Sequence, residues 1–257
     1  LRSFITSNIL CTDMIDLIPK ENIIALFNEN KPILDIASKS AEFAVAIYNK
    51  YISKVDNEKL KNLIYSIPTS PHAYEFTRKI YRILGLNIDN IAVYFDSYKL
   101  LNFVKSNGDI DYDKIVKFLT QNKKYSKIQI KNEINGGKQM KFSAVVGNPP
   151  YQISDGGARA SSKPIYHHFV KISKKLTPSY ISIITPTRWF AGGKGLDDFR
   201  DEMLHDNRLR ILHDYISSSD CFSGVEIKGG VCYFLWDRDS AGKCKVYTHV
   251  GTQIVSS

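Results

Sequence analysis

Asn148-Pro149-Pro150-Tyr151 follows directly on the apolar run Ala144-Val145-Val146-Gly147, and these four residues have the chemistry to hold an amino group on a flat ring. Two consecutive prolines cannot donate ladder hydrogen bonds and hold φ near −65°, so they end a strand and leave the Pro149 carbonyl outside ordinary secondary structure. Beside it, the side-chain oxygen of Asn148 is a second acceptor, and together the two can take both protons of one exocyclic amino group. Tyr151 adds an aromatic face for a planar ring. The competing reading is a plain strand-to-turn junction in which Tyr151 only packs, half-buried.

Such a box must be carried by a strand, and the pattern around it supplies one. Residues 9–27 carry Ile9, Leu10, Met14, Ile15, Leu17 and Ile18, which predicts a helix ended by Pro19. A short strand at Ile33-Leu34 leads through Asp35 into a helix that buries Phe43, Ala44, Ile47 and Tyr48. Further strands are predicted at 63–67 and 91–95, separated by a helix over 70–84 closed by Gly85. The alternation then breaks into a Lys-rich stretch over 105–141, with a short helix at 115–119 and a turn at Asn135-Gly136-Gly137. Nine lysines against four carboxylates there make either a DNA-facing patch or a solvated insertion. The sheet resumes at Val145-Val146, at 180–184, near 210–212 and at 231–236. Strands alternating with helices imply an α/β fold with a mostly parallel, doubly wound sheet, with ligands at the carboxyl ends of the strands.

Composition bounds the setting. The chain has 257 residues, 43% hydrophobic and 24% charged, ordinary values for a globular protein. No apolar run reaches the roughly 18 residues of a membrane span. It begins at Leu1 with nothing that reads as a signal peptide, and so reads as part of a longer protein. Cys11, Cys221, Cys232 and Cys244 lack close metal-ligand spacing and read as reduced thiols of a cytoplasmic protein, with no metal site expected. A formal charge of +9 favours a polyanionic partner.

The Asn-Pro-Pro-Tyr box resembles that of the amino-methyltransferases, in which it binds an extruded adenine and presents the amino nitrogen to S-adenosylmethionine. Asp35-Ile36-Ala37-Ser38-Lys39-Ser40-Ala41-Glu42-Phe43 is similar to their first cofactor loop, Asp-Pro-Ala-Cys-Gly-Ser-Gly-x-Phe. Asp35, Ala37, Ser40 and Phe43 match, while Lys39 and Ala41 stand where that loop has glycine. Asp35 suits the ammonium of the methionyl group, and N–H groups at the next helix start can meet its carboxylate. Phe4-Ile5-Thr6-Ser7 resembles the Thr-Pro box of the γ order, with Ser7 in place of Pro, and Asp96 matches the position that bonds the cofactor adenine. The second strand ends in Ser66-Ile67-Pro68-Thr69-Ser70, without the acidic residue that usually bonds the ribose, and Glu75 lies about one and a half turns further on.

The resemblance thus implies a γ-class adenine-N6 DNA methyltransferase of a type II restriction-modification system. The implied fold is a Rossmann-like, mixed but mostly parallel seven-stranded sheet with helices on both faces. Asn148, Pro149, Pro150 and Tyr151 would be catalytic; Thr6, Asp35, Ala37, Ser40, Phe43 and Asp96 would hold S-adenosylmethionine. The partner would be double-stranded DNA with a flipped adenine, in the bacterial cytoplasm and away from membranes, with a fused or separate nuclease and target-recognition domain. The chain divides into a cofactor half over about 1–104, the insertion, and a substrate half over about 142–240, with the target-recognition domain largely absent. A Gly/Ser-rich segment over 152–163, with Arg159 and Lys163, would be mobile and meet DNA phosphates. The segments 185–190 and 192–195 should share its rim, with Trp189 and Phe190 either supporting the flipped base or packing in the core. Residues 223–231 look like the turn into the last hairpin. Two other readings fit: a non-catalytic DNA-binding subunit that kept the fold, and a glutamine-N5 methyltransferase acting on protein.

Overall fold

The computed structural model describes residues 6–93, 95–121, 140–154, 162–222, 227 and 229–257. In chain order its elements are α1 (Asn8–Asp16), α2 (Lys20–Asn28), β1 (Ile33–Ser38), α3 (Glu42–Tyr51), α4 (Asn57–Lys61), β2 (Ile64–Pro68) and α5 (Pro71–Leu84). They continue with α6 (Tyr112–Gln121), β3 (Ala144–Gly147), β4 (Gln152–Ser154), β5 (Ser162–Pro164), α7 (Tyr166–Lys175), β6 (Tyr180–Pro186) and α8 (Asp197–His205). The last four are strands: β7 (Leu209–Tyr215), β8 (Val231–Asp237), β9 (Lys245–Val250) and β10 (Gln253–Ser256).

The main sheet has eight strands in the order β10-β9-β7-β8-β6-β3-β1-β2, one more than the seven expected. β2, β1, β3 and β6 are mutually parallel, so the carboxyl ends of β1 and β3 open on the same edge. β8 runs antiparallel to both β6 and β7, β9 lies parallel to β7, and β10 folds back on β9. Alternate residues of the central strands feed two cores. Ile33, Ile64, Ala144, Val146, Ile181 and Ile183 join one, with α1, α2 and α3. Leu34, Ile36, Tyr65, Ile67 and Val145 join the other, with Phe169 and Ile172 of α7 and Leu176 just after it. Burial on both faces is why these strands read as unbroken apolar runs.

Local chemistry accounts for the element ends. Ser70 accepts from the Ala73 N–H at 3.1 Å and Pro71 opens α5, while Gly85 closes it at φ 69, a left-handed cap that glycine adopts without strain. Pro19 does end α1, but it also starts α2, which buries Ile23 and Phe27; a second helix was not expected there. The strand expected at 91–95 reduces to one parallel bridge between Ser66 and Ile91. The Ala92 N–H reaches the Ser66 carbonyl at 2.9 Å, and further on Ser97 is bonded across the ends of β1 and β2. The helix expected at 115–119 is the longer α6. The turn at 135–137 lies outside the described residues. Among the described residues no helix is long and apolar enough to cross a membrane.

Candidate active site

β3 stops at Gly147, whose φ of +158 is rare for L side chains and where a Cβ would stand 3.1 Å from Ile36 Cγ2. A glycine therefore lets the end of β3 pass close against β1. Asn148 follows at 1% exposure, and Pro149 and Pro150 are buried beside it. The Asn148 amide donates from Nδ2 to Thr6 Oγ1 at 3.0 Å, which fixes the amide plane and turns Oδ1 away from Thr6. Thr6 is itself 1% exposed. The next residue, Ser7, caps α1 by accepting from the Leu10 N–H at 3.2 Å, so the helix start holds Thr6 in place.

Tyr151 is more buried than an open stacking platform would be, at 9% exposure. Its carbonyl accepts from the Ile165 N–H at 3.0 Å and its ring meets Tyr166 edge-on at 6.4 Å. Burial holds its hydroxyl well above the usual phenol range, with the Cys221 and Cys232 thiols adding to the effect. β4 and β5 pair antiparallel just after the box, so the segment expected to be a bare loop has two short strands at its ends; Arg159 lies outside the described residues. Trp189 is 2% exposed and packs on Phe190 and Phe199, a core role, while Phe190 is half-buried.

On the neighbouring strand, Asp35 is fully buried. Its Oδ1 accepts from the Ala37 N–H at 3.1 Å, whereas Oδ2 has no hydrogen-bond partner. Burial above all, then the charge of Glu42, raises its carboxyl well above the normal range. The turn into α3 is made without glycine: Ala41 sits at φ 60 and its N–H is held by Ser38 Oγ at 3.2 Å. Glu42 curls back over its own helix start, where Oε2 accepts from the Ser40 N–H at 2.7 Å and the Ser40 hydroxyl at 3.0 Å. Lys39 is 8% exposed, and burial pulls its ammonium down to about 8 against the opposing pull of Glu42 and Asp35. Phe43 and Ala37 are buried in the two cores. A buried carboxylate oxygen with no partner is a fitting receptor for the ammonium of S-adenosylmethionine, so the residues present suit that group.

Asp96 lies at the same edge, placed there by a residue that sequence reasoning missed. Ser97 is fully buried; its hydroxyl donates to the Ile36 carbonyl at 2.9 Å, with the Ile67 carbonyl at 3.2 Å, and its N–H donates to Pro68 at 3.0 Å. Asp96 caps the following turn through the Lys99 N–H at 3.0 Å and pairs with the Lys99 ammonium at 3.5 Å. Glu75 is exposed and pairs with Arg78 at 2.7 Å on α5. The structure thus brings Thr6 into contact with Asn148 and sets Asp35, Ser40 and Asp96 around the ends of β1 and β2. The burial of Lys39 and the contact of Glu42 with Ser40 were also not anticipated.

Residues 32–222, which include both the loop over 35–43 and the Asn-Pro-Pro-Tyr box, match the family of the Eco57I restriction-modification methylase. The chain belongs to this family. It is 35% identical over 112 residues to an uncharacterized adenine-specific methylase of Mycoplasma pneumoniae, a match covering 42% of this chain and 26% of that protein. The chain therefore spans about a quarter of the curated relative it matches. Its fold is similar to that of a modification subunit of a putative type I restriction enzyme from Vibrio vulnificus, with a TM-score of 0.63 at 11% identity, covering 98% of this chain and 48% of that one. A chain of the DrdV–DNA complex gives a TM-score of 0.61 at 14% identity, covering 96% and 27% respectively. At such identities the likeness concerns the fold: a Rossmann-like restriction-modification methyltransferase domain. In this chain the turn through Lys39 and Ala41 is built by side-chain caps, Glu42 on the Ser40 N–H and Ser38 on the Ala41 N–H.

Proposed function

We propose that this chain is the methyl-transfer part of an adenine-specific DNA methyltransferase of a restriction-modification system, acting on N6 of an adenine extruded from duplex DNA. The observation that carries the reading is the Asn148 amide, locked by Thr6 at the end of β3, on the same sheet edge as the buried Asp35. S-adenosylmethionine, when bound, supplies the activated methyl group. Asp35 would receive its ammonium and Asp96 would bond its adenine.

An adenine amino group lies inside the base stack, so the base must leave the duplex to be reached. Asn148 Oδ1 and the Pro149 carbonyl would then accept hydrogen bonds from its two N–H groups, which holds the amino group in one orientation with its lone pair directed at the incoming methyl. Thr6 keeps Oδ1 where that requires it. Catalysis of this kind rests on positioning and charge placement and needs no covalent nucleophile. Exposed Lys163 on β5, close to the box in the chain, would meet a backbone phosphate.

Single-turnover methylation of adenine-containing duplex DNA by the full-length protein tests the reading. Asn148→Ala should abolish transfer while cofactor binding, followed by calorimetry, stays nearly intact. Full activity in that variant would overturn the assignment of the box. An unaltered protein that binds DNA and never methylates it would favour the non-catalytic DNA-binding reading.

A further inference from the structure

α5 buries Ala73, Thr77 and Tyr81, one row at helical spacing. Two of the three carry hydroxyls, and each hydroxyl reaches a different strand. Tyr81 Oη lies 2.9 Å from Ser66 Oγ on β2, and Thr77 Oγ1 lies 3.3 Å from Ser38 Oγ at the end of β1. Thr77 and Ser38 are both fully buried. A valine would fill the same volume with no polar group to satisfy, so the Thr77 hydroxyl is tolerated there because Ser38 meets it. Ser38 has further duties. Its carbonyl accepts from the Thr69 N–H at 2.9 Å, which pins its backbone to the end of β2, and its Oγ accepts from the Ala41 N–H at 3.2 Å. Ala41 stands at φ 60 and ψ 23, a left-handed conformation that glycine adopts freely and alanine does not. Two hydroxyls thus run from α5 across the end of β1 to the strained residue of the turn before α3.

We propose that Thr77 is a positioning residue for the methyl donor: acting through Ser38, it holds the turn that joins β1 to α3 in its left-handed shape, in place of the glycines this loop lacks. The α3 start and Asp35 are thereby kept in register for one ligand. The inference rests on the function proposed above and adds to the donor site a residue from outside its loop. The competing account, in which Thr77 only braces α5 against the sheet, applies equally to Tyr81. Loss of either hydroxyl would then lower stability and nothing more. Thr77 differs from Tyr81 in that its partner also holds the turn.

The test compares Thr77→Val, Thr77→Ser and Tyr81→Phe in the whole protein, each alone and combined with Ala41→Gly. Two quantities are read: the affinity for S-adenosylmethionine by calorimetric titration, and the exchange rate of the Ala41 amide hydrogen without ligand. Thr77→Val should weaken the donor roughly 2- to 10-fold, as for the loss of one hydrogen bond, and quicken Ala41 exchange by a similar factor. Thr77→Ser keeps the hydroxyl and should stay within about twofold of the unaltered protein on both. Tyr81→Phe should lower the melting temperature while both quantities stay within about twofold. Ala41→Gly frees the turn from its need for the link, so Thr77→Val in that background should fall within about twofold of Ala41→Gly alone. Ser38→Ala takes the place of Thr77→Val if that variant does not fold. Unchanged affinity and exchange in Thr77→Val, an equal loss in Tyr81→Phe, or an undiminished loss in the Ala41→Gly background overturns the positioning role and leaves the methyltransferase reading in place. Donor binding by none of the folded forms, the unaltered protein included, overturns the methyltransferase reading and the role of Thr77 with it.

Discussion

Thr6 and Asn148 are 142 positions apart, yet a single 3.0 Å hydrogen bond makes them one unit. Thr6→Val keeps the shape and deletes the acceptor, leaving the buried Asn148 Nδ2 donor without it. Losing such a bond costs roughly 0.5–1.5 kcal/mol, so single-turnover methylation should fall roughly 2- to 10-fold with cofactor affinity unchanged. A parallel loss in cofactor affinity would place Thr6 on the cofactor instead. Tyr151 has two duties at once, as the ring of the box and as a buried wedge against Tyr166. Tyr151→Phe keeps the ring, and should keep most activity and stability. Tyr151→Ala opens a cavity that costs about 3–5 kcal/mol, visible as a lower melting temperature before any effect on DNA is considered. Equal damage from both changes would mean that the hydroxyl, not the ring, is what the site uses.

At the scale of elements, α7 carries a pair of pH-sensitive histidines. His168 Nδ1 lies 2.7 Å from the Tyr112 hydroxyl, tying α7 to α6, and the neighbouring His167 packs against Tyr166 and Phe199. Burial first, then nearby positive charge, pulls His167 to about 3 and His168 to about 4. Both rings are therefore neutral in the folded protein and take up protons on unfolding below their ordinary value of about 6.5. The unfolded state binds more protons between pH 6.5 and 4, so stability is full above 6.5 and is lost as pH falls through that window. Melting temperatures measured from pH 7.5 to 4.5 should decline accordingly. His167→Phe should decline less than the unaltered protein over the same range, and identical slopes would show that His167 contributes nothing to the acid limb.

The whole molecule carries a formal charge of +9, and at this scale the proposed contact with DNA is an electrostatic matter. Non-specific duplex binding should weaken steeply with salt, with a log–log slope near −0.9 for each phosphate neutralised. A flat salt dependence, measured by fluorescence anisotropy, would count against a phosphate-facing surface. Much of this protein was legible in its residues alone. The Asn-Pro-Pro-Tyr box ends its strand because of proline chemistry, α5 is bounded by Ser70 and Gly85, and the central strands show as apolar runs because they are buried on both faces. These signals are local, carried by a few adjacent side chains. What the residues could not declare were relations between distant ones. The strand expected at 91–95 reduced to one bridge, Ser97 bonded across the ends of β1 and β2, and β9 and β10 extended the sheet to eight strands. Tyr151 turned out to be nearly closed, and Lys39, a loop lysine in the chain, became buried. Burial and partnership depend on which segments the fold brings together, and no local pattern of spacing encodes that.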